Sequence, residues 1–192
     1  MADTFPAIKA NFRRYRILLC ACKATTADPL LTSPREKGPP VESVKNKIFH
    51  PHPRPYKWIG FEVIIKTWNL ANYELKLFCE EFDEGRPVFR FESMGNGHMN
   101  PHDGKSTLAE RRIPTPHFHW VGSDGRMLAF RTRFLNDPEQ EKHVLAHYSA
   151  GVKHFCQEVN LRTPSGADVD VQMASNTLPL STSKDPLEGV TF

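Results

Sequence analysis

Four histidines fall between residues 98 and 119: His98, His102, His117 and His119. An imidazole both donates and accepts a proton near neutral pH, so such a cluster is the natural place to look for acid–base chemistry. The spacing of the last two is informative. In His117-Phe118-His119-Trp120-Val121-Gly122, then Ser123-Asp124-Gly125, then Arg126-Met127-Leu128-Ala129-Phe130-Arg131, a three-residue loop ending in glycine joins two alternating segments. That is hairpin chemistry, and it pairs Gly122 with Arg126, Trp120 with Leu128 and Phe118 with Phe130. Successive strand residues point to opposite faces, so Phe118, Trp120, Leu128 and Phe130 form a core layer, while His117, His119, Ala129 and Arg131 face the other way. The same alternation in Val88-Phe89-Arg90-Phe91-Glu92 sends Phe89 and Phe91 inward and Arg90 and Glu92 outward.

Imidazoles beside guanidiniums are what cleavage of an RNA phosphodiester requires, because arginine holds a phosphate through a fork of donors. His117, His119 and His98 are therefore the candidate catalytic groups, with Arg131, Arg90, Asn100 and His102 as candidate substrate contacts. The competing reading is a solvated sheet face without chemistry, common in antiparallel sheets. An i, i+2 histidine pair on a strand can also chelate a metal. With no carboxylate confirmed beside the pair, the sequence assigns no metal and no cofactor.

The run His98-Met99-Asn100-Pro101, followed by Ile113-Pro114-Thr115-Pro116-His117-Phe118-His119, a glycine-containing turn and Ala129, resembles a pattern in small bacterial proteins of mobile elements and toxin–antitoxin loci. The TumE-type toxin proteins look like distant relations. The resemblance implies a compact α+β domain and makes His98, Asn100, His117 and His119 the positions to test.

The elements that must carry these residues are short. Strand signals run from Tyr15 to Cys22, Lys57 to Lys66, Tyr73 to Glu81, Pro87 to Ser93, His117 to Gly122 and Arg126 to Leu135. One long helix is expected from Asp137 to about Asn160, opened by Asp137 as N-cap with Pro138 at the first position. Its apolar arc, Val144, Leu145, Tyr148, Val152, Phe155, Cys156 and Val159, would pack on the sheet and leave His143, His147 and His154 toward solvent. The fold class read from this is α+β: an antiparallel sheet of five to six strands with one long C-terminal helix packed on one face. The expected organisation is a single domain over 10–162 with a Pro-rich insertion at 25–56, then a polar, partly disordered tail at 163–192. Seven prolines between Pro29 and Pro55 suggest a loop, and Val169–Met173 could add an edge strand.

Composition narrows the classes further. The chain of 192 residues has 39% hydrophobic and 24% charged residues and a formal net charge of +3, which permits nucleic-acid binding without demanding it. Four cysteines without a C-x-x-C pair read as reduced thiols, and no run is long enough to cross a membrane, so a cytoplasmic location without a membrane partner is expected. Gly-rich phosphate loops, G-x-S-x-G and H-E-x-x-H are missing. The reading is a toxin-like protein that cleaves or binds RNA. The alternative is a non-enzymatic interaction or inhibitor protein of a mobile element, with a cognate antitoxin or another protein as partner. Whether the chain is an enzyme is left open.

Overall fold

The computed structural model describes residues 4–35, 38–50 and 55–174. In chain order its elements are α1 (Pro6–Ala10), α2 (Phe12–Cys20), β1 (Lys23–Thr25), β2 (Leu30–Leu31), β3 (Ser33–Pro34), β4 (Val41–Phe49), β5 (Ile59–Lys66), β6 (Tyr73–Cys79) and β7 (Phe89–Glu92). They continue with β8 (His98–Met99), α3 (Leu108–Arg111), β9 (Arg112–Ile113), β10 (His117–Val121), β11 (Met127–Phe130), α4 (Pro138–Ala146), α5 (Tyr148–Glu158), β12 (Leu161–Arg162) and β13 (Val171–Gln172).

One sheet dominates, in the order β11-β10-β7-β6-β5-β4-β1-β12, with β3 added on β4. It is mixed, because β1 and β12 run parallel. The expected sheet of five or six antiparallel strands is therefore too small, and the single long C-terminal helix does not form. Alternating apolar residues in successive strands line up in register across the sheet: Val44, Val63, Leu75, Phe91, Phe118 and Phe130 make one continuous row. Against this face lies α5, whose Phe155 ring stacks on Phe61 at 5.5 Å and also reaches Phe89 and Phe118. A fully buried Tyr15 joins α2 to the sheet, its hydroxyl donating to the Val88 carbonyl (2.9 Å) and accepting from the Val121 N–H (3.0 Å).

Four expectations need correction. The strand read at Tyr15 to Cys22 is helix α2: Tyr15, Leu18 and Leu19 are buried at helical spacing, and the unbroken apolar run Ile17–Cys22 hid that period. The Pro-rich stretch 25–56 contains β4, which pairs with β5 over seven residues. Its prolines fall on both sides of Val41–Phe49, which itself has none. The long helix breaks at His147, between α4 and α5. The Val144 carbonyl, which in a continuous helix would accept from residue 148, accepts instead from the Tyr73 hydroxyl at 2.8 Å. The break shifts the helical phase, so His154 is buried at 4% exposure while His143 and His147 remain exposed.

The cap was read correctly: the Asp137 carboxylate accepts from the N–H groups of Glu139 and Gln140. Part of the polar tail also packs. Val169, Val171 and Met173 are buried, and β13 pairs with β2 in a small separate sheet. The remainder, 175–192, lies outside the described residues, as do His52 and its flanking prolines. All four cysteines are free, Cys20 and Cys22 exposed, Cys79 and Cys156 buried. Among the described residues no helix is long and apolar enough to cross a membrane.

Candidate functional site

Strand pairing sets the positions of the site residues. In the β7–β10 ladder His117 is opposite Glu92 and His119 is opposite Arg90. Next to them in β6, Glu74 pairs with Glu92 and Lys76 with Arg90. Side chains directly across neighbouring strands share a face, so all six lie on the side of the sheet away from α5. The hairpin register is the expected one, Phe118 with Phe130 and Trp120 with Leu128, closed by Gly125 at φ +83°.

The exposure of that face differs from expectation. His117 and His119 are 0% and 1% exposed. The connection from Met94 to Pro116, which carries β8, α3 and β9, lies over them as a strap. Asn100 fastens it: its amide donates to the Ala129 carbonyl at 2.8 Å and accepts from the Ala129 N–H at 2.7 Å. The side chain thus completes the free edge of β11 as a neighbouring strand would. Within the strap, Thr107 and Glu110 form a reciprocal capping box at the start of α3, and β8 pairs with β9 through His98 and Ile113. The outcome is that His98 is carried to the buried pair, its ring 4.8 Å from that of His119 and 6.3 Å from that of His117.

The three histidines predicted to be catalytic therefore converge, and a carboxylate that the sequence placed on the same face without a role joins them. His117 Nε2 and His119 Nε2 are 2.7 Å apart. Glu92 Oε2 is 3.8 Å from the first and 3.7 Å from the second. His117 Nδ1 is 3.2 Å from the Pro114 carbonyl, which can only accept, so Nδ1 carries the proton and Nε2 presents a lone pair. Burial and the neighbouring His119 push the His117 imidazole down to about 4, and burial lowers His119 as well. Burial also pushes the Glu92 carboxyl up, but the attraction of His119 and of Arg90 outweighs it and holds the group at about 2. Near neutral pH the cluster is two neutral imidazoles and one carboxylate, a net negative charge.

The candidate substrate contacts separate. Arg90 stays at the cluster, with Nη1 3.4 Å from Glu92 Oε1. Asn100 serves the strap. Arg131 is occupied: it donates to Asn136 Oδ1, Glu141 Oε1 and the Thr115 and Leu135 carbonyls, which makes it a clamp between the end of β11 and α4. His102 is exposed, and no contact among the described residues ties it to the cluster. The alternation that put Glu92 on the histidine face was the signal for it, but only the register places it opposite His117. Glu74 and Lys76, paired at 2.6 Å, continue the charged row and were not singled out from the sequence.

Comparison of the chain with protein-family models, with curated proteins and with solved structures finds no match.

Proposed function

We propose that the protein is a toxin-like enzyme that cleaves RNA at the cluster of His98, His117, His119 and Glu92. The observation that carries the reading is the convergence of His98, from the strap, on the two strand histidines. Three imidazoles and a carboxylate gathered from three segments are more than the folding of a sheet requires. Arg90 and Lys76 bring two cations to the rim of the buried pair, with 28% and 19% side-chain exposure, each paired with a carboxylate, Glu92 and Glu74, that a phosphate would have to displace. His98 is half-buried and is the histidine able to meet a substrate. Arg131 plays no part in this reading, because it is largely buried and most of its N–H groups bond Asn136, Glu141 and the Thr115 and Leu135 carbonyls.

The test is cleavage of a labelled RNA by purified protein, with and without added divalent ions. The reading expects cleavage that falls at least tenfold in His98→Ala and in His119→Gln, on the scale of losing one acid–base group. No cleavage under any of these conditions, or cleavage at the wild-type rate by either variant, overturns it.

A second reading, an interaction protein meeting an antitoxin-like partner, is favoured by one observation. Trp68, Leu70 and Met94 are exposed at 62%, 42% and 41%, and Asn69 touches Met94, so the apolar side chains gather near the β5–β6 turn.

A further inference from the structure

A hydrogen bond accounts for only one side of the triangle drawn by the two imidazoles and Glu92. The 2.7 Å between the Nε2 atoms of His117 and His119 is a normal contact, whereas 3.7 Å and 3.8 Å from these atoms to Glu92 Oε2 are too long for one. The three distances have another property. A triangle with sides of 2.7, 3.7 and 3.8 Å has its equidistant point about 2.0 Å from each corner. Bonds from imidazole nitrogen and carboxylate oxygen to a transition metal run about 2.0 to 2.2 Å. An ion at that point would be at bonding distance from all three atoms with little rearrangement.

We propose that Nε2 of His117, Nε2 of His119 and Oε2 of Glu92 are the ligands of a divalent first-row transition-metal ion. Among the described residues these three form the only group of three or more such side chains whose ligand atoms lie this close together. The donor set, two nitrogens and one oxygen, suits zinc, iron, cobalt, nickel or manganese and excludes the all-oxygen preference of calcium and magnesium.

The surroundings are those of a ligand set. The His117 ring is oriented by its Nδ1–H donating to the Pro114 carbonyl, which leaves Nε2 free to bind. Glu92 divides its two oxygens: Oε1 faces Arg90 Nη1 at 3.4 Å, and Oε2 faces the imidazoles. An i, i+2 pair on β10 and a residue directly across on β7 come from two paired interior strands of the sheet, so the backbone ladder holds the three atoms together without a bound ion. Three protein ligands leave coordination positions open, which is the arrangement of catalytic rather than structural sites. Access is from the Glu92 side, where the side chain keeps 24% exposure and His98 stands half-buried. An ion there would supply an acidified water, the nucleophile that a hydrolytic reaction needs.

The inference does not depend on the substrate, because uptake of the ion is measured without one. Purified protein is stripped with a chelator, then titrated separately with zinc, cobalt and manganese, and bound metal is counted by elemental analysis. The expected result is one ion per chain for at least one of the three, with a raised melting temperature. Glu92→Gln, which preserves the shape and the half-exposed setting of the side chain, is expected to weaken binding at least tenfold, and His119→Gln to abolish stoichiometric uptake. His143→Ala, which removes half of the exposed pair formed by His143 on α4 and His147 at the break after it, is expected to change nothing. Absence of stoichiometric uptake of every ion by the wild-type chain overturns the proposal, as does uptake that is indifferent to Glu92→Gln or lost in His143→Ala. Uptake without RNA cleavage would leave the metal site standing and remove the RNA reading.

Discussion

Asn100 is where the strap can be tested with one atom group. Its amide makes two hydrogen bonds to the backbone of Ala129, 2.7 and 2.8 Å long, across 29 residues of chain. In Asn100→Ala both are lost, and water reaches the Ala129 N–H and carbonyl only if the strap lifts. At a net contribution of about 1 kcal/mol for each bond, the variant should lose about 2 kcal/mol. For a chain of this size that corresponds to roughly 4 to 8 °C in melting temperature. Asn100→Asp should cost at least as much at neutral pH, since the carboxylate still accepts from the Ala129 N–H but sets its second oxygen against the Ala129 carbonyl. The assay is urea unfolding followed by tryptophan fluorescence, with hydrogen exchange read at the Ala129 amide, whose protection should fall in Asn100→Ala, where its acceptor is removed. If Asn100→Ala unfolds within about 0.5 kcal/mol of wild type and the Ala129 amide stays protected, the strap is not held by this contact and the placement of His98 needs another cause.

Three further outcomes follow from buried groups elsewhere. Burial holds the His154 imidazole down at about 4, against an ordinary 6.5, and its Nε2 is 2.9 Å from the Thr132 hydroxyl. The unfolded chain therefore takes up this proton first. The contribution of the neutral ring is complete above about pH 6.5 and drains away between 6.5 and 4, by on the order of 3 kcal/mol. Stability measured against pH should fall less steeply in that window for His154→Gln; an unchanged slope contradicts the assignment. A Cβ on Gly151 would lie 1.9 Å from the Tyr73 hydroxyl that bonds Val144, so Gly151→Ala should destabilise by about 2 to 4 kcal/mol in chemical unfolding, and a neutral result would mean that this junction is loosely packed. Tyr15→Phe keeps the ring but leaves the buried Val121 N–H without its acceptor. A loss of about 1 to 3 kcal/mol is expected by the same measurement, and none if water replaces the hydroxyl.

What the residues reveal in advance depends on how far apart the cause and its effect lie. The β10–β11 register was legible because the glycine loop and the alternation are local and agree. The shared face of His117, His119, Arg90 and Glu92 followed from the same period of two. The burial of that face did not, since it comes from a strap pinned by Asn100 to a distant strand, a contact without periodicity. The break at His147 goes with the bond from Tyr73 to the Val144 carbonyl, a contact across 71 residues, and its one local sign is Gly151, whose missing side chain admits the Tyr73 hydroxyl. In β4 the difficulty was composition: prolines on both flanks masked a nine-residue strand. For α2, an apolar run of consecutive residues matches a strand as well as a helix, and what decides between them is distant: Tyr15 bonds Val121 of β10 and Val88, just before β7.

The histidine and carboxylate groups gathered beneath the strap form one site, and locating an ion tests that directly. A crystal of the protein soaked with zinc or cobalt and measured at the metal's absorption edge should show one strong anomalous peak within about 2.0 to 2.2 Å of His117 Nε2, His119 Nε2 and Glu92 Oε2. No peak there, or a peak only between the exposed His143 and His147, would contradict the account.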